Sequence, residues 1–415
     1  MNSAGKQSLN AALPKEFGGR RREPLPGLYI HWPWCVSKCP YCDFNSHVQQ
    51  VFTEKQYVEA ICSELDHMLF LTGDGVEGRP ALGSLFFGGG TPSLMRPDSV
   101  AAILEHVRRC FALADGMEIT LEANPSSVEA ARFAELAEAG VNRLSLGVQA
   151  LEEEALKVLG RAHGVEEALA AIELAQKHFS RMSFDLIYAR HGQALEDWRN
   201  ELARALELAQ GHLSLYQLSI EQGTAYQNLF TRGKLNLPDN ERAARFFHET
   251  REICARAGLP AYEISNYAKA GQASAHNLVY WRYGSYMGVG PGAHGRVVVE
   301  GRLMASAVIR SPKRWIRQVE QHGHGVETLV PLTRAEQADE MILMGMRLVE
   351  GLDLIRLGEK TGKQISRTLI DQLQDADLCQ LQEGRLCATT QGFAVLNQIV
   401  GQLSLALADV RPSSF

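Results

Sequence analysis

A sixfold alternation of short apolar runs with amphipathic helical stretches most constrains what this chain can fold into. The runs are Gly27–Trp32 (GLYIHW), Leu82–Gly88 (LGSLFFG), Met117–Ala123 (MEITLEA), Asn142–Val148 (NRLSLGV), Met182–Tyr188 (MSFDLIY) and His212–Ile220 (HLSLYQLSI). Each is short, rich in β-formers and nearly continuously apolar, the expectation for strands buried in a parallel sheet. Between them lie helix-period segments such as EKQYVEAICSELDHML, SVEAARFAELAEAG and EDWRNELARALELAQG, the last two closed by glycine, a common helix stop. Six β–α units in succession predict an α/β fold with a parallel sheet, open or barrel-like.

Polar and glycine-rich residues gather at one end of these runs. A cysteine loop follows the first, GGGTP follows the second and EANP closes the third. Gln149 ends the fourth, Asp185 sits in the fifth, and Ser219 to Glu221 end the sixth. In barrels of βα units, chemistry collects at the C-terminal face of the strands, where successive loops converge.

The chain has eight cysteines and no secretion signal, so a disulfide scaffold is excluded. Cys62, Cys110, Cys254, Cys379 and Cys387 are scattered and read as small buried hydrophobes. Cys35, Cys39 and Cys42 are crowded into one loop with C-x3-C-x2-C spacing. A structural zinc site takes four protein ligands, and a ferredoxin-type cluster takes four thiolates. His31, Asp43 or His47 could complete a zinc site. Three thiolates alone suit a [4Fe–4S] cluster with one iron left for a non-protein ligand, and an open position on a metal is where substrate binds.

Four segments are expected: a flexible tail over 1–26, a barrel over 27–235, an aromatic, Gly-rich extension over 236–330, and a C-terminal α+β unit over 331–415 whose helices and short hairpin resemble a winged-helix domain. In the extension, RVVVEGRLMAS reads as one strand-like run. A net charge of −6 without a dense Lys/Arg face sets nucleic acid aside. No run of eighteen apolar residues predicts a membrane span. The tail is basic at Arg20–Arg22 but has few other basic residues and carries Glu16, which argues against a mitochondrial transit peptide and for a cytoplasmic protein.

The C-x3-C-x2-C loop after the first strand, with Tyr41 before the third cysteine, resembles the radical S-adenosylmethionine (SAM) superfamily. That resemblance implies a partial (β/α)6 barrel, a [4Fe–4S] cluster on Cys35, Cys39 and Cys42, and SAM on the open iron. YIHWPWC, GGGTPS, EANP, GVNRLSLGVQ, LGRAH, SFDLIY, HLSLYQLSIEQGT and YEISNYAKAG follow the order and spacing of the oxygen-independent coproporphyrinogen III oxidase-like family over roughly residues 27 to 400. By position it carries SAM-site roles onto Tyr29, Tyr41, Gly89, Gly90, Thr91, Glu122, Gln149, Arg161, Asp185 and Ser219, with the Ala293–His294 loop less firmly aligned.

Two features point to the heme-chaperone (HemW) branch rather than to porphyrinogen decarboxylation, the alternative activity. Phe44 stands where the oxidase branch has a further cysteine, and the chain carries H-N-x-x-Y-W at His276–Trp281. The branch resemblance implies heme as ligand, with His276 as axial ligand and Tyr280 and Trp281 as an apolar wall; His191, His294, His322 and His324 have less support. It also implies a heme-acceptor protein, including contact with membrane-bound acceptors, and an electron donor such as flavodoxin or an NADH-linked reductase. One departure is DLIYARHGQ (Asp185–Gln193), where relatives read close to DLIYGLPGQ; it places Arg190 near the barrel mouth as a partner for a heme propionate.

Overall fold

The computed structural model describes residues 23–48, 53–73 and 78–410. Strands β1 (Gly27–Trp32), β2 (Ala81–Gly89), β3 (Ala112–Ala123), β4 (Arg143–Gln149), β5 (Arg181–Tyr188) and β6 (His212–Gln217) lie side by side in chain order, all parallel. Helices join them, among them α1 (Glu54–Thr72) after β1, α2 (Pro97–Cys110) after β2, and the Leu195–Leu208 helix after β5. This is the expected partial (β/α)6 barrel. The sixth strand is shorter than expected: its partner β5 ends at Tyr188, opposite Gln217. Ser219 therefore lies beyond the sheet, where its hydroxyl donates to Glu221 at 2.6 Å.

The strands are not continuously apolar in effect. Leu28, Ile30, Leu85, Phe87, Leu144, Leu146, Phe184, Leu186, Leu213 and Leu215 form the core shared with the outer helices. The alternate positions hold Ser84, Glu118, Thr120, Glu122, Arg143, Ser145, Ser183, Asp185 and Ser214. Arg143 donates to Ser183 at 2.9 Å, Ser183 to Ser145 at 3.3 Å, and Arg181 reaches Glu118 at 3.0 Å, so these side chains share the barrel's concave face. Period two puts one polar and one apolar face on each strand. The short runs look uniformly apolar because serine and threonine interrupt them weakly.

The 236–330 segment extends both ends of the sheet. β7 (Asn266–Ala268) pairs antiparallel with β6; β8 (Tyr286–Val289) pairs parallel with β1 and leads into β9 (His294–Val299), β10 (Arg302–Val308) and β11 (Val326–Pro331), giving the order β11-β10-β9-β8-β1-β2-β3-β4-β5-β6-β7. The run expected as one strand is thus a hairpin, β9–β10, with Val299 opposite Arg302. Glu300 (φ 49°) and Gly301 (φ 73°) make its two-residue turn, the geometry that matches strand twist.

The C-terminal unit has its own core, built on Met341, Ile342, Leu357, Leu373, Leu386 and Leu403. Its small antiparallel sheet joins Leu352–Asp353, Arg385–Ala388 and Cys379–Gln382. Arg296–Glu340 at 2.6 Å and Arg282–Glu350 at 2.9 Å tie it to the barrel extension. The expected tail overreaches at its end: Glu23 pairs with Arg356 at 2.7 Å and Lys360 at 2.9 Å, and Pro26 accepts from the Gly83 amide. Residues 1–22 lie outside the described part. Among the described residues, no helix is long and apolar enough to cross a membrane.

The ARHGQ loop corrects another expectation. Arg190 is buried and its guanidinium grips Glu201 with both amino groups, at 3.1 and 2.7 Å, while also donating to the Ile187 carbonyl. It therefore offers no free charge to a propionate. Ala189, which stands at the glycine of the relatives' motif, has φ 56°, a left-handed conformation that costs an L-residue strain. Ala189→Gly is expected to stabilise the fold by up to about 1 kcal/mol, read as a higher denaturant midpoint; an unchanged or lower midpoint contradicts that strain.

Candidate functional site

The three cysteines sit in a loop that closes on itself at the C-terminal end of β1. The Cys35 amide donates to the His47 carbonyl at 3.0 Å, the His47 amide to Pro33 at 2.7 Å, and the Cys42 amide to Cys39 at 3.1 Å. Asn45 anchors it to the extension by donating to Pro291 and Arg310 carbonyls at 2.8 and 2.9 Å. His31 turns into the barrel, with one ring nitrogen on Tyr29 at 3.0 Å and the other on the Asn45 carbonyl at 3.0 Å. It is therefore occupied and does not complete a zinc tetrad. All three thiols are free and half-buried, and burial holds Cys35 and Cys42 above the usual thiol range. Phe44 is 58% exposed at the rim.

One hydrogen-bonded path joins two of the thiols through the ends of β2 and β3 and the turn that carries Arg161. Thr91 donates to Cys35 Sγ at 3.4 Å, Asn124 Nδ2 donates to Thr91 Oγ1 at 2.9 Å, and Arg161 donates to Asn124 Oδ1 and, at 3.3 Å, to Cys39 Sγ. Arg161 also donates to the Gly147 carbonyl at 2.9 Å. Glu129 fixes the turn below by accepting from the Asn124 amide at 2.8 Å and from Ser93. Asn124 and Glu129 escaped the reading of the sequence, which took the EANP motif for its glutamate; the polar residue just past that glutamate was the available signal. Tyr41 stands against Tyr226, their ring centroids 6.1 Å apart, and Tyr226 holds Pro40 of the loop through its amide at 3.0 Å.

The glycine edge of β2 is forced by close approach. Gly89 has φ 114°, and a Cβ there would strike the His31 ring; a Cβ at Gly90 would strike the Trp34 backbone. The Gly90 amide donates to Trp32 at 2.6 Å and the Thr91 amide to Trp34 at 2.7 Å, so the glycines seat the cysteine loop as well as baring a backbone edge. Gln149, at the end of β4, has φ 70° and turns the chain at the mouth.

Below the loop the concave face carries two carboxylates. Glu122 accepts from the Gly89 amide at 3.0 Å. Burial, aided by Asp185, pushes it up to about 7. Asp185 is pushed up to about 6 by burial, against the pull of Ser214, Arg143 and Arg161. Asp185 Oδ1 and Arg161 Nε are buried without a hydrogen-bond partner among the described residues. An orphaned carboxylate acceptor and an orphaned guanidinium donor beside a bare glycine edge and three thiols suit an amino-acid-bearing ligand with both cationic and acceptor groups next to a metal cluster. The residues thus fit the cluster and SAM expected at this mouth. Tyr29, Tyr41, Gly89, Gly90, Thr91, Glu122, Gln149, Arg161 and Asp185 come together there; Ser219 is exposed past β6, and His294 is exposed at the start of β9.

His276 is elsewhere. The Ala275–Trp281 helix plugs the opposite, N-terminal end of the concave face. Ser274 and the amides of Ala275 and His276 all donate to Glu118, at 3.2, 3.1 and 3.1 Å. The His276 ring is 1% exposed, stacked on Phe86, with Nδ1 on Ser84 at 2.9 Å and Nε2 on Tyr280 at 2.7 Å. Burial pushes it down to about 3. The expectation of an imidazole presented to heme iron is corrected for this conformation: both nitrogens are engaged. Tyr280 serves as the histidine's partner rather than as a wall.

A radical SAM superfamily model matches residues 29–205 and a HemN C-terminal domain model matches 332–395. Heme chaperone HemW of Escherichia coli is 38% identical over 355 residues, covering 84% of this chain and 90% of that protein. The chain belongs to the HemN-like HemW family of radical SAM proteins. Also similar is a bovine protein named radical S-adenosyl methionine domain-containing protein 1, mitochondrial, 37% identical over 93% of this chain and 90% of its own length. The solved coproporphyrinogen III oxidase HemN of E. coli superposes with a TM-score of 0.75 at 21% identity, covering 92% of this chain and 90% of that one; the likeness is one of fold. Membership in the superfamily brings a [4Fe–4S] cluster and SAM.

Two outcomes test the site. Asn124→Ala keeps every cysteine but cuts the path between them; hydrogen bonds to charged groups contribute about 1.5–3 kcal/mol, so loss of iron to a chelator is expected to quicken about tenfold or more, and an unchanged rate removes the path's role. SAM affinity is expected to weaken as pH falls from 8 to 6, because Glu122 and Asp185 lose charge through about 7 and about 6, and Glu122→Gln flattens the profile in calorimetry. The same raised values work oppositely on the empty fold, whose stability falls as pH rises from the ordinary carboxylate range to about 7 and levels off above it.

Proposed function

We propose that this protein is a heme chaperone that binds heme and delivers it to an acceptor protein, with the cluster and SAM at the barrel mouth governing delivery. The observation that carries this is the family: bacterial members similar along most of the chain bear the name heme chaperone. Phe44 at the rim is in keeping with it, since no further thiol stands there.

In this reading Cys35, Cys39 and Cys42 hold the cluster, and the Gly89–Gly90 edge with Glu122 receives the amino-acid end of SAM. Asp185 and Arg161 place polar groups on the remainder of the cofactor, while Tyr41 and Tyr226 shield the loop from water. The cluster, when reduced, supplies the single electron that radical SAM chemistry uses. An electron donor of the flavodoxin or NADH-linked reductase type and a cytoplasmic setting complete the proposal. Ligation of iron by His276 would require Tyr280 to release Nε2.

Anaerobically reconstituted protein is expected to bind heme, to transfer it to an apo-hemoprotein, and to form no protoporphyrinogen from coproporphyrinogen III. Porphyrinogen turnover without heme transfer overturns the proposal. For the histidine, Tyr280→Phe is expected to tighten heme and His276→Ala to abolish the low-spin Soret signature; identical spectra for both variants and the parent remove His276 as ligand.

A further inference from the structure

Two of the five scattered cysteines are not core residues. Cys254, Cys379 and Cys387 are buried, but Cys62 and Cys110 are half-exposed on the outer helices, on neighbouring α1 and α2. Cys62 and Asp66 are one turn apart on α1, and His106 and Cys110 one turn apart on α2. Residues spaced i, i+4 share a helix face, so each helix presents one thiol and one further donor to the same seam. Asp66 Oδ1 lies 2.8 Å from His106 Nε2 and 3.7 Å from Cys110 Sγ. One donor atom each from Asp66, His106 and Cys110 falls within 4.8 Å of the other two. Cys62 faces the same seam one turn before Asp66 but is not one of the three residues whose donor atoms converge.

We propose that Asp66, His106 and Cys110 form a zinc site that clips α1 to α2, separate from the Cys35–Cys42 loop. A thiolate, an imidazole and a carboxylate, with water in the fourth position, are a tetrahedral zinc set, with Zn–S about 2.3 Å and Zn–N or Zn–O about 2.0–2.2 Å; the thiolate and imidazole disfavour calcium and magnesium, which take oxygen ligands. On binding, the Cys110 thiol proton leaves to solvent and no electron is transferred. The Asp66–His106 hydrogen bond is replaced by bonds from both residues to the metal. His106 then carries its proton on Nδ1, which requires Arg109, now 3.3 Å from that nitrogen, to turn away; Arg109 already pairs with Glu105 at 3.0 Å. The Asp66 side chain is 59% exposed, so the ion has a route in.

The test uses the full chain with its iron–sulfur cluster assembled, given zinc alone and then dialysed. Zinc K-edge absorption reads zinc without interference from iron. The expected result is one zinc per chain with one sulfur and three nitrogen or oxygen neighbours, falling to background in Cys110→Ser and in His106→Gln while iron content stays unchanged. Arg109→Gln, which frees Nδ1, is expected to tighten zinc. Zinc that washes out of the parent, zinc retained equally by both ligand variants, or a Cys62–Cys110 disulfide found by mass spectrometry in place of metal overturns the proposal. Should either ligand variant fold poorly, Asp66→Asn, at the most exposed of the three positions, gives the same reading.

Discussion

The hydrogen-bonded path Cys35–Thr91–Asn124–Arg161–Cys39 is the constraint on which the mouth of this barrel depends. It fastens a loop of three thiols to the ends of β2, β3 and β4 and to the Leu159–Arg161 turn. Each link donates in one sense toward sulfur, so the path is best satisfied when the thiols are thiolates, which is the form a metal takes. The two β2 glycines permit it: without their close approach to His31 and Trp34, Thr91 would not reach Cys35.

The floor of the barrel is held differently. Glu118 is almost wholly buried, yet Arg143 and Arg181 with the Ala275–Trp281 helix hold its carboxyl below the usual range despite the cost of burial. A buried charge is tolerable when its partners and hydrogen bonds are complete; Glu118 meets that condition by capping the helix that carries His276 and Tyr280. The motif associated by resemblance with heme is thereby a structural plug, and the same contacts that close the floor keep both imidazole nitrogens occupied. Mouth and floor are thus joined by one polar interior. A heme that used His276 would have to compete with Tyr280 and Ser84.

Much of this was legible in the sequence. The six parallel strands begin and end within a few residues of the apolar runs, because strand length and flanking glycines are local properties. Cys35, Cys39 and Cys42, the glycine edge, Glu122 and Asp185 were visible because they stand at strand ends, where polar residues in an apolar run attract notice. Asn124, Glu118 and the burial of His276 were not: each acquires its partners from distant residues, up to 192 positions away for His276, and no spacing within one segment encodes that. The β9–β10 hairpin was missed because Glu300–Gly301 interrupts an otherwise uniform run, and Arg190 looked free because its partner Glu201 lies on the next helix.

The central claim is that three thiolates at this mouth leave one iron to SAM, held by the Gly89–Gly90 edge and Glu122. The most direct measurement is pulsed magnetic resonance of the reduced cluster with SAM labelled with nitrogen-15 at its amino group. The account predicts a hyperfine coupling from that nitrogen in the parent and its weakening in Glu122→Gln. A cluster signal indifferent to bound SAM would contradict it.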